Sequence, residues 1–528
     1  MKENAKIHWC LILILFFSFL IRRWNLDTNP AGFFCDEASM GVDALSILKT
    51  GRDHHGEFLP LFFKGFNYDN TSPFQVYLTV PVVALLGLNE SAVRIVPVFW
   101  SIVELLVFFL LLKEFIPPSF ALLGTFLLSI SPWHFHLSRI NMGDYYSWTL
   151  LTLLGYFFLV KALKQPKSFW FFLCAFFLGL GSYSYTPARL ITPLIFGLAI
   201  LIVLAKRCFK TAFFMVFIYT VVLIPFINFH LTDPHSFQRI KDTMGIDIKN
   251  RIVLNQPEES SSHHFLTKYV LHFSDTFLFE KGDADFPGQF IRRHSIAGLG
   301  LLYPYQKWLI LTGLGWLLLR LLTKKDLRLV FILFLLLLFP IADSLTNDKT
   351  PFATRSYLGV LPFHLLIAFG FFGIYQVLLK FLKPTLALIL VFSFFFLLAL
   401  NSGTALLQHF WINPLTTSDF WGWQYGPRDT MKYFLANKNN YDDLYLSGEF
   451  NAPEIFLKFY DPENTCQNKC QIGDFWRNPP ILNPQRRQLF SLSPEYLVNS
   501  GLKSRFLVKN TLYYPNGKIA FLIGEVVK

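Results

Sequence analysis

Trp9-Cys-Leu-Ile-Leu-Ile-Leu-Phe-Phe-Ser-Phe-Leu-Ile21 is followed by Arg22-Arg23 and then, across a short polar segment, by Phe33-Phe34-Cys35-Asp36-Glu37-Ala38. The first stretch reads as a membrane span. The second puts an adjacent acid pair just beyond it, a place that is costly inside lipid and ordinary in water. The pair is therefore expected at the bilayer surface, with the rest of the chain as its scaffold. No small-residue cleavage site follows the apolar run, so the span reads as uncleaved.

The whole chain supports that reading. Of its 528 residues 53% are hydrophobic and 61 are Phe, more than a soluble core of this size needs. The fold class expected is mainly α: a polytopic membrane protein of about 11 transmembrane helices, from runs of at least ~15 apolar residues. These runs lie near 8–21, 92–112, 119–133, 145–163, 168–183, 188–205, 211–230, 304–322, 329–345, 356–380 and 385–401. The net charge of +12 is spread over short loops, without the runs of a nucleic-acid binder.

Basic loops set the topology. Lys161/Lys164/Lys167, Lys206/Arg207/Lys210, Arg320/Lys324/Lys325/Arg328 and Lys380/Lys383 lie an even number of runs apart, so all four fit one cytoplasmic side. Walking back from Lys161 puts Asp36, Arg94, Arg139 and Asp144 together on the other side, with Arg22 and Arg23 voting weakly against. Parity requires that Pro73 to Leu88 be an interfacial or re-entrant helix rather than a crossing. The domains expected are 1–402 as a transmembrane catalytic unit with outer loops 22–91, 134–144, 231–303 and 346–355, and 403–528 as a small extracytoplasmic α/β domain. Within the latter, Tyr441-Asp-Asp-Leu-Tyr-Leu is strand-like, and Pro453 to Tyr460 is helix-like with Pro at its start.

The chemistry-bearing residues gather on the outer face. Ala38 to Thr50 reads as an amphipathic helix stopped by Gly51. Asp36 and Glu37 at its start are candidates for a general base, or simply acids at a helix N-terminus. Asp144, in Arg139-Ile-Asn-Met-Gly-Asp144, is a second carboxylate that could orient an acceptor or ligate a metal; its plainer reading is a helix start. Arg94, Arg139, Tyr183, Tyr185, Arg189, Asp283, Arg292, Arg293, His294 and Arg355 form the candidate substrate-binding set, because guanidinium bonds two phosphate oxygens at once. Each taken singly could be an interfacial anchor. His54-His55 and His263-His264 are neighbours that do not share a helix face, which argues against a metal site. Cys466 and Cys470, at i and i+4, could pair or stay as thiols. No nucleotide-binding glycine loop is present, nor a His-Glu-x-x-His or Gly-x-Ser-x-Gly motif.

Asp36-Glu37-Ala38, Leu48-Lys-Thr-Gly-Arg-Asp-His-His-Gly-Glu-Phe-Leu-Pro60 and Leu86-Gly-Leu-Asn-Glu-Ser-Ala-Val-Arg94 resemble the first outer loop of GT-C glycosyltransferases. The branch is that of bacterial relatives of dolichyl-phosphate-mannose–protein mannosyltransferase and of the lipid A aminoarabinose transferase. Ser138-Arg139 with Asp144, Phe277-Leu-Phe to Asp283, and Trp423-Gln-Tyr-Gly-Pro-Arg428 are similar to further family segments. The resemblance implies transfer of a hexosyl or pentosyl group from a polyprenyl-phosphate donor to an extracytoplasmic protein, lipid or glycan. It also implies residence in a bacterial inner (cytoplasmic) membrane. It puts the catalytic acid on Asp36, the second acid on Asp144, and basic positions on Arg94 and Arg139. Where aminoarabinose transferases carry Lys-Pro-Pro, this chain has Thr71-Ser72-Pro73, so their phosphate-side lysine is missing and neither lipid A nor aminoarabinose follows. A divalent metal is left open, with no ligand set legible. The rival class is a lipid-linked-sugar flippase or transporter, which would place its ionisable groups near the bilayer midplane on repeated halves; no repeat is evident.

Overall fold

The computed structural model describes residues 2–66, 70–244, 246–247, 252–253, 261–447, 450–473 and 482–527, so the segment 231–303 is described in part. Helices dominate because each apolar run satisfies its own backbone, as lipid demands. In order they are α1 Lys2–Arg23, α2 Cys35–Thr50, α3 Pro73–Leu86, α4 Glu90–Leu112, α5 Pro118–Ser129, α6 Pro132–Leu137 and α7 Tyr145–Lys164. There follow α8 Ser168–Gly181, α9 Thr186–Ala205, α10 Phe209–Thr232, α11 Gln238–Met244, α12 Ser261–Leu271, α13 Gln306–Lys324, α14 Val330–Leu338, α15 Ile341–Ser344, α16 Val360–Leu378 and α17 Pro384–Leu407.

Eight helical segments among the described residues are long and apolar enough to cross a membrane, so the chain is an integral multi-pass membrane protein. They coincide with eight of the eleven apolar runs. The remaining three runs also fold as helices, α5, α8 and α13, of which α5 and α8 are only 12 and 14 residues long. α3 is likewise 14 residues and begins with Pro73 at its first turn. α13 and α16 approach closely because both carry glycine at the crossing. A Cβ on Gly313 would meet the Leu366 carbonyl at 1.9 Å, and one on Gly370 the Leu309 carbonyl at 2.1 Å.

The composition change read at 403 falls inside a helix that continues to Thr416. Beyond it, α19 Pro427–Asn437 (after a short α18, Asn413–Thr416), α20 Glu454–Tyr460 and α21 Pro494–Asn499 pack with a five-stranded mixed sheet. The strand order is Cys470–Gly473, Asp443–Ser447, Gln488–Leu492, Ile519–Val526, Phe506–Tyr513. The first three strands are parallel, with Leu444 opposite Leu489, and the last two run antiparallel, with Phe490 opposite Gly524. The strand-like and helix-like stretches read near Tyr441 and Pro453 are the Asp443–Ser447 strand and α20. Cys466 and Cys470 are disulfide-bonded beside it.

This domain lies directly on the loop that carries the acid pair. Phe459 packs against Phe33 with ring centroids 4.8 Å apart, and Tyr460 and Arg428 both bond Glu90 at the start of α4. Gly32 has φ +119°, and its virtual Cβ would come within 2.3 Å of the Trp423 carbonyl. Only glycine fits that turn under that carbonyl. Trp423 is fully buried, whereas Trp411 and Trp421 are about half exposed.

Candidate active site

Asp36 and Glu37 open α2, which ends as read at Gly51 in the left-handed conformation. One residue of α-helix turns the side chain by about 100°, and that turn separates the two acids. Glu37 points into protein and is fully buried. Its carboxylate accepts from Arg94 Nε at 2.9 Å and Nη2 at 2.8 Å, and from the Asn141 backbone N–H at 3.1 Å. Arg94 spends its other donors on the carbonyls of Leu26, Pro30 and Gly32. All five of its N–H groups are engaged. Arg139 is buried in the same way, with its guanidinium donating to the carbonyls of Ile21, Arg22, Asn25 and Asn29. Neither arginine lines the cavities described below. They tie the first polar loop to α1, α4 and the segment before α7.

Asp36 faces the other way, into a cavity of about 170 Å³. Its other polar walls include Asp43, Ser72, Asp144, Tyr185 and Arg239. Asp36 and Asp43 are seven residues apart, two turns along the same face of α2. Asp43 accepts from the backbone N–H of His54 at 3.0 Å and lies 2.5 Å from its ring Nδ1. Asp144 sits immediately before α7, and burial pushes its carboxyl up to about 8, with the neighbouring polar groups of Ser72 and Gln75 offsetting part of the shift. Arg293 stacks over Phe34, 3.8 Å from the ring centre, within electrostatic reach of Asp36. Among the described residues no group of three or more His, Cys, Asp or Glu side chains is arranged to hold a metal ion.

A second, larger cavity of about 590 Å³ adjoins the first: Tyr185, Thr186 and Arg239 line both. Its walls are mostly apolar, with Leu190, Phe226, Ile227, Leu231, Ile240 and Leu345 among them, and Arg189, Arg239 and Arg355 supply positive charge. Arg189 lies over the Phe62 ring and donates to the Asn70 carbonyl at 3.1 Å. The pairing of a carboxylate chamber with an apolar one, joined at an arginine, suits an amphiphile whose anionic group sits at the junction.

Of the sequence-derived set, Asp36, Asp144, Tyr185, Arg189 and Arg355 come together around these cavities. Glu37, Arg94 and Arg139 do not. Tyr183 bonds the Val222 carbonyl at 2.6 Å and stacks beside Phe62 outside both chambers. Asp283 is fully buried, accepting from the Ala353 N–H at 2.9 Å beside His294 at 3.4 Å. Arg292 is exposed, its backbone N–H on the Trp421 carbonyl. Sequence reading missed Arg239 and Asp43. The spacing of Asp43 from Asp36 was a usable signal, whereas Arg239 stands in no motif. His54 Nδ1 lies against Asp43, and His264 Nε2 lies 3.0 Å from the Thr346 carbonyl.

Residues 70–230 match the family described as dolichyl-phosphate-mannose-protein mannosyltransferase. The fold is similar to that of ArnT from Cupriavidus metallidurans bound to undecaprenyl phosphate, with a TM-score of 0.57 at 11% identity over 98% of each chain. Archaeal oligosaccharyltransferase AglB from Archaeoglobus fulgidus, in complex with an inhibitory peptide and a dolichol-phosphate, is similar at a TM-score of 0.51 and 11% identity. That match covers 98% of this chain and 74% of the other. No curated protein matches the sequence. The chain thus shares the fold of these two proteins over nearly its whole length.

Proposed function

We propose that this protein is a membrane glycosyltransferase that moves a sugar from a polyprenyl-phosphate donor to an acceptor outside the cytoplasm. The acceptor is a protein, lipid or glycan, and the membrane is the inner membrane of a bacterium. The transmembrane unit does the chemistry, and the tail domain covers it on the extracytoplasmic side. The observation that carries the reading is the pair of adjoining cavities, one acidic and one apolar and arginine-bearing, with Tyr185, Thr186 and Arg239 common to both.

In this reading the polyprenyl chain occupies the apolar cavity. Asp36 removes the proton from the acceptor hydroxyl or amine. The acceptor atom then bonds to the anomeric carbon as the bond from that carbon to the phosphate oxygen breaks. Polyprenyl phosphate departs with growing negative charge, which Arg189, Arg239 and Arg355 stabilise. Asp144, neutral at pH 7, donates a hydrogen bond that positions the acceptor. Glu37, Arg94 and Arg139 hold the loop on which Asp36 is presented. The bound lipid phosphates of ArnT and AglB and the peptide of AglB support the choice of donor and leave the acceptor class open.

The test incubates purified protein with a labelled polyprenyl-phosphate sugar and cell-envelope extract. The wild type is expected to move the label onto a new molecule, and Asp36→Asn is expected to fold but fail. Near-normal transfer by Asp36→Asn would remove the mechanism. Movement of label across vesicles without a new covalent product would favour a flippase.

A further inference from the structure

Arg355 stands on the wall of the apolar cavity, and its setting differs from that of a simple surface arginine. Its guanidinium carbon lies over the Phe352 ring, 4.3 Å from the centre. Every hydrogen bond it makes to the described residues uses Nη1: to Thr346 Oγ1 at 3.0 Å, Asp343 Oδ1 at 3.3 Å, and Asp348. Nε and Nη2, the other edge of the fork, are left for a ligand.

Behind it is a fully buried hub. Asp343 Oδ2 accepts from the Phe352 N–H at 2.9 Å and lies 3.0 Å from His272 Nε2. Oδ1 faces both Arg355 and Lys268 Nζ, the latter at 3.4 Å. Lys268 also donates to Thr346 Oγ1 at 2.7 Å, closing a ring of contacts through the hydroxyl that Arg355 uses. Nothing in the proposed transfer requires this investment of buried charge. A surface anchor for an arginine would serve with Asp348 alone, whose side chain is 40% exposed. A buried carboxylate between two cations costs desolvation free energy, and what it provides is a fixed geometry for the one cation that reaches the cavity.

We propose that Asp343, with Lys268 and Thr346, is a positioning group that holds the Arg355 fork in register for the donor's phosphate, resting on the donor reading above. The reaction step itself does not pass through Asp343. With Nη1 anchored and the guanidinium carbon over Phe352, less side-chain entropy is lost when the phosphate binds.

The test titrates purified full-length protein with undecaprenyl phosphate and, separately, with undecaprenol, which has the same tail and no phosphate. Asp343→Asn is expected to weaken undecaprenyl phosphate binding about tenfold, close to that of Arg355→Ala, with undecaprenol binding changed by less than about twofold. Asp343→Glu should recover most of the loss, and the milder Thr346→Val, which keeps the ion cluster, should cost about threefold. Equal losses toward both lipids would mark a purely structural role and overturn the inference. So would wild-type phosphate affinity in Asp343→Asn and Thr346→Val beside a weakened Arg355→Ala. If Arg355→Ala itself binds undecaprenyl phosphate like the wild type, the phosphate role of Arg355 fails and the positioning role falls with it.

Discussion

Two groups of arginines, alike in sequence, have opposite fates. Arg94 and Arg139 are fully buried, with all of Arg94's guanidinium donors and both terminal nitrogens of Arg139 bonded to a carboxylate or to carbonyls. Arg189, Arg239 and Arg355 border an apolar cavity. The acid pair divides the same way: Glu37 belongs to the saturated interior and Asp36 to the chamber. A closed polar network specifies a backbone shape, because any lost partner strands a buried charge. A group whose hydrogen-bonding capacity faces a cavity is the one that can act on something else. Adjacency in sequence says nothing about which is which.

The sharpest way to break this division is at Asp36. Asp36→Asn should lower transfer by roughly a thousandfold, the scale of a lost general base, with unchanged thermal unfolding in detergent; Glu37→Gln should do the reverse. Removing one member of the Glu37–Arg94 pair is expected to cost about 3–5 kcal/mol. It should appear as loss of folded protein by size-exclusion chromatography rather than as weaker lipid binding. The double substitution Glu37→Met with Arg94→Met should be less damaging than either alone, and equal or greater damage would show that the pair is not the closed unit described.

On the open side, Arg355→Ala should leave folding intact and weaken undecaprenyl phosphate binding about tenfold, about 1.4 kcal/mol. The smallest effect is expected at Asp144. With its carboxyl pushed up to about 8 by burial, it is protonated at pH 7 in the folded chain but ionised in the unfolded one. The folded state therefore holds an extra proton, and stability declines as pH rises from the ordinary carboxylate range through about 8. Transfer should fall on the same alkaline side. Asp144→Asn, which mimics the neutral form, should keep transfer at pH 7 within about tenfold and flatten both declines, because the titrating carboxyl is gone. A wild-type-like alkaline limb in that variant would mean another group is responsible.

Much of this architecture was legible in the chain. Trp9–Ile21 and the later apolar runs appear as helices because a lipid-facing backbone can satisfy itself in few other ways. The start of α2 at the acids, its stop at Gly51 and the helix after Pro453 followed from helix-terminus chemistry, and the strand near Tyr441 from its residue pattern. Asp36, Asp144, Tyr185, Arg189 and Arg355, all named from the sequence, line the two cavities. Asp43 could have been found from its i+7 spacing. Arg94 and Arg139, named in the same set, line neither cavity, and this has a physical cause. A guanidinium that binds phosphate and one that binds carbonyls are the same residue, and the difference lies in partners 57 to 118 positions away in the chain.

By itself, then, the sequence determined a many-helix membrane protein with an acid-bearing polar loop and a tail of less apolar composition, because hydrophobic length and local backbone chemistry are properties of contiguous residues. Only the tertiary structure decided that Asp36 opens onto a chamber while Glu37 is sealed by Arg94. It also decided that Arg239 joins two cavities and that Asp343 stands behind Arg355. Those outcomes depend on which distant groups are brought within hydrogen-bonding distance, and no local pattern encodes a contact that chain folding alone creates.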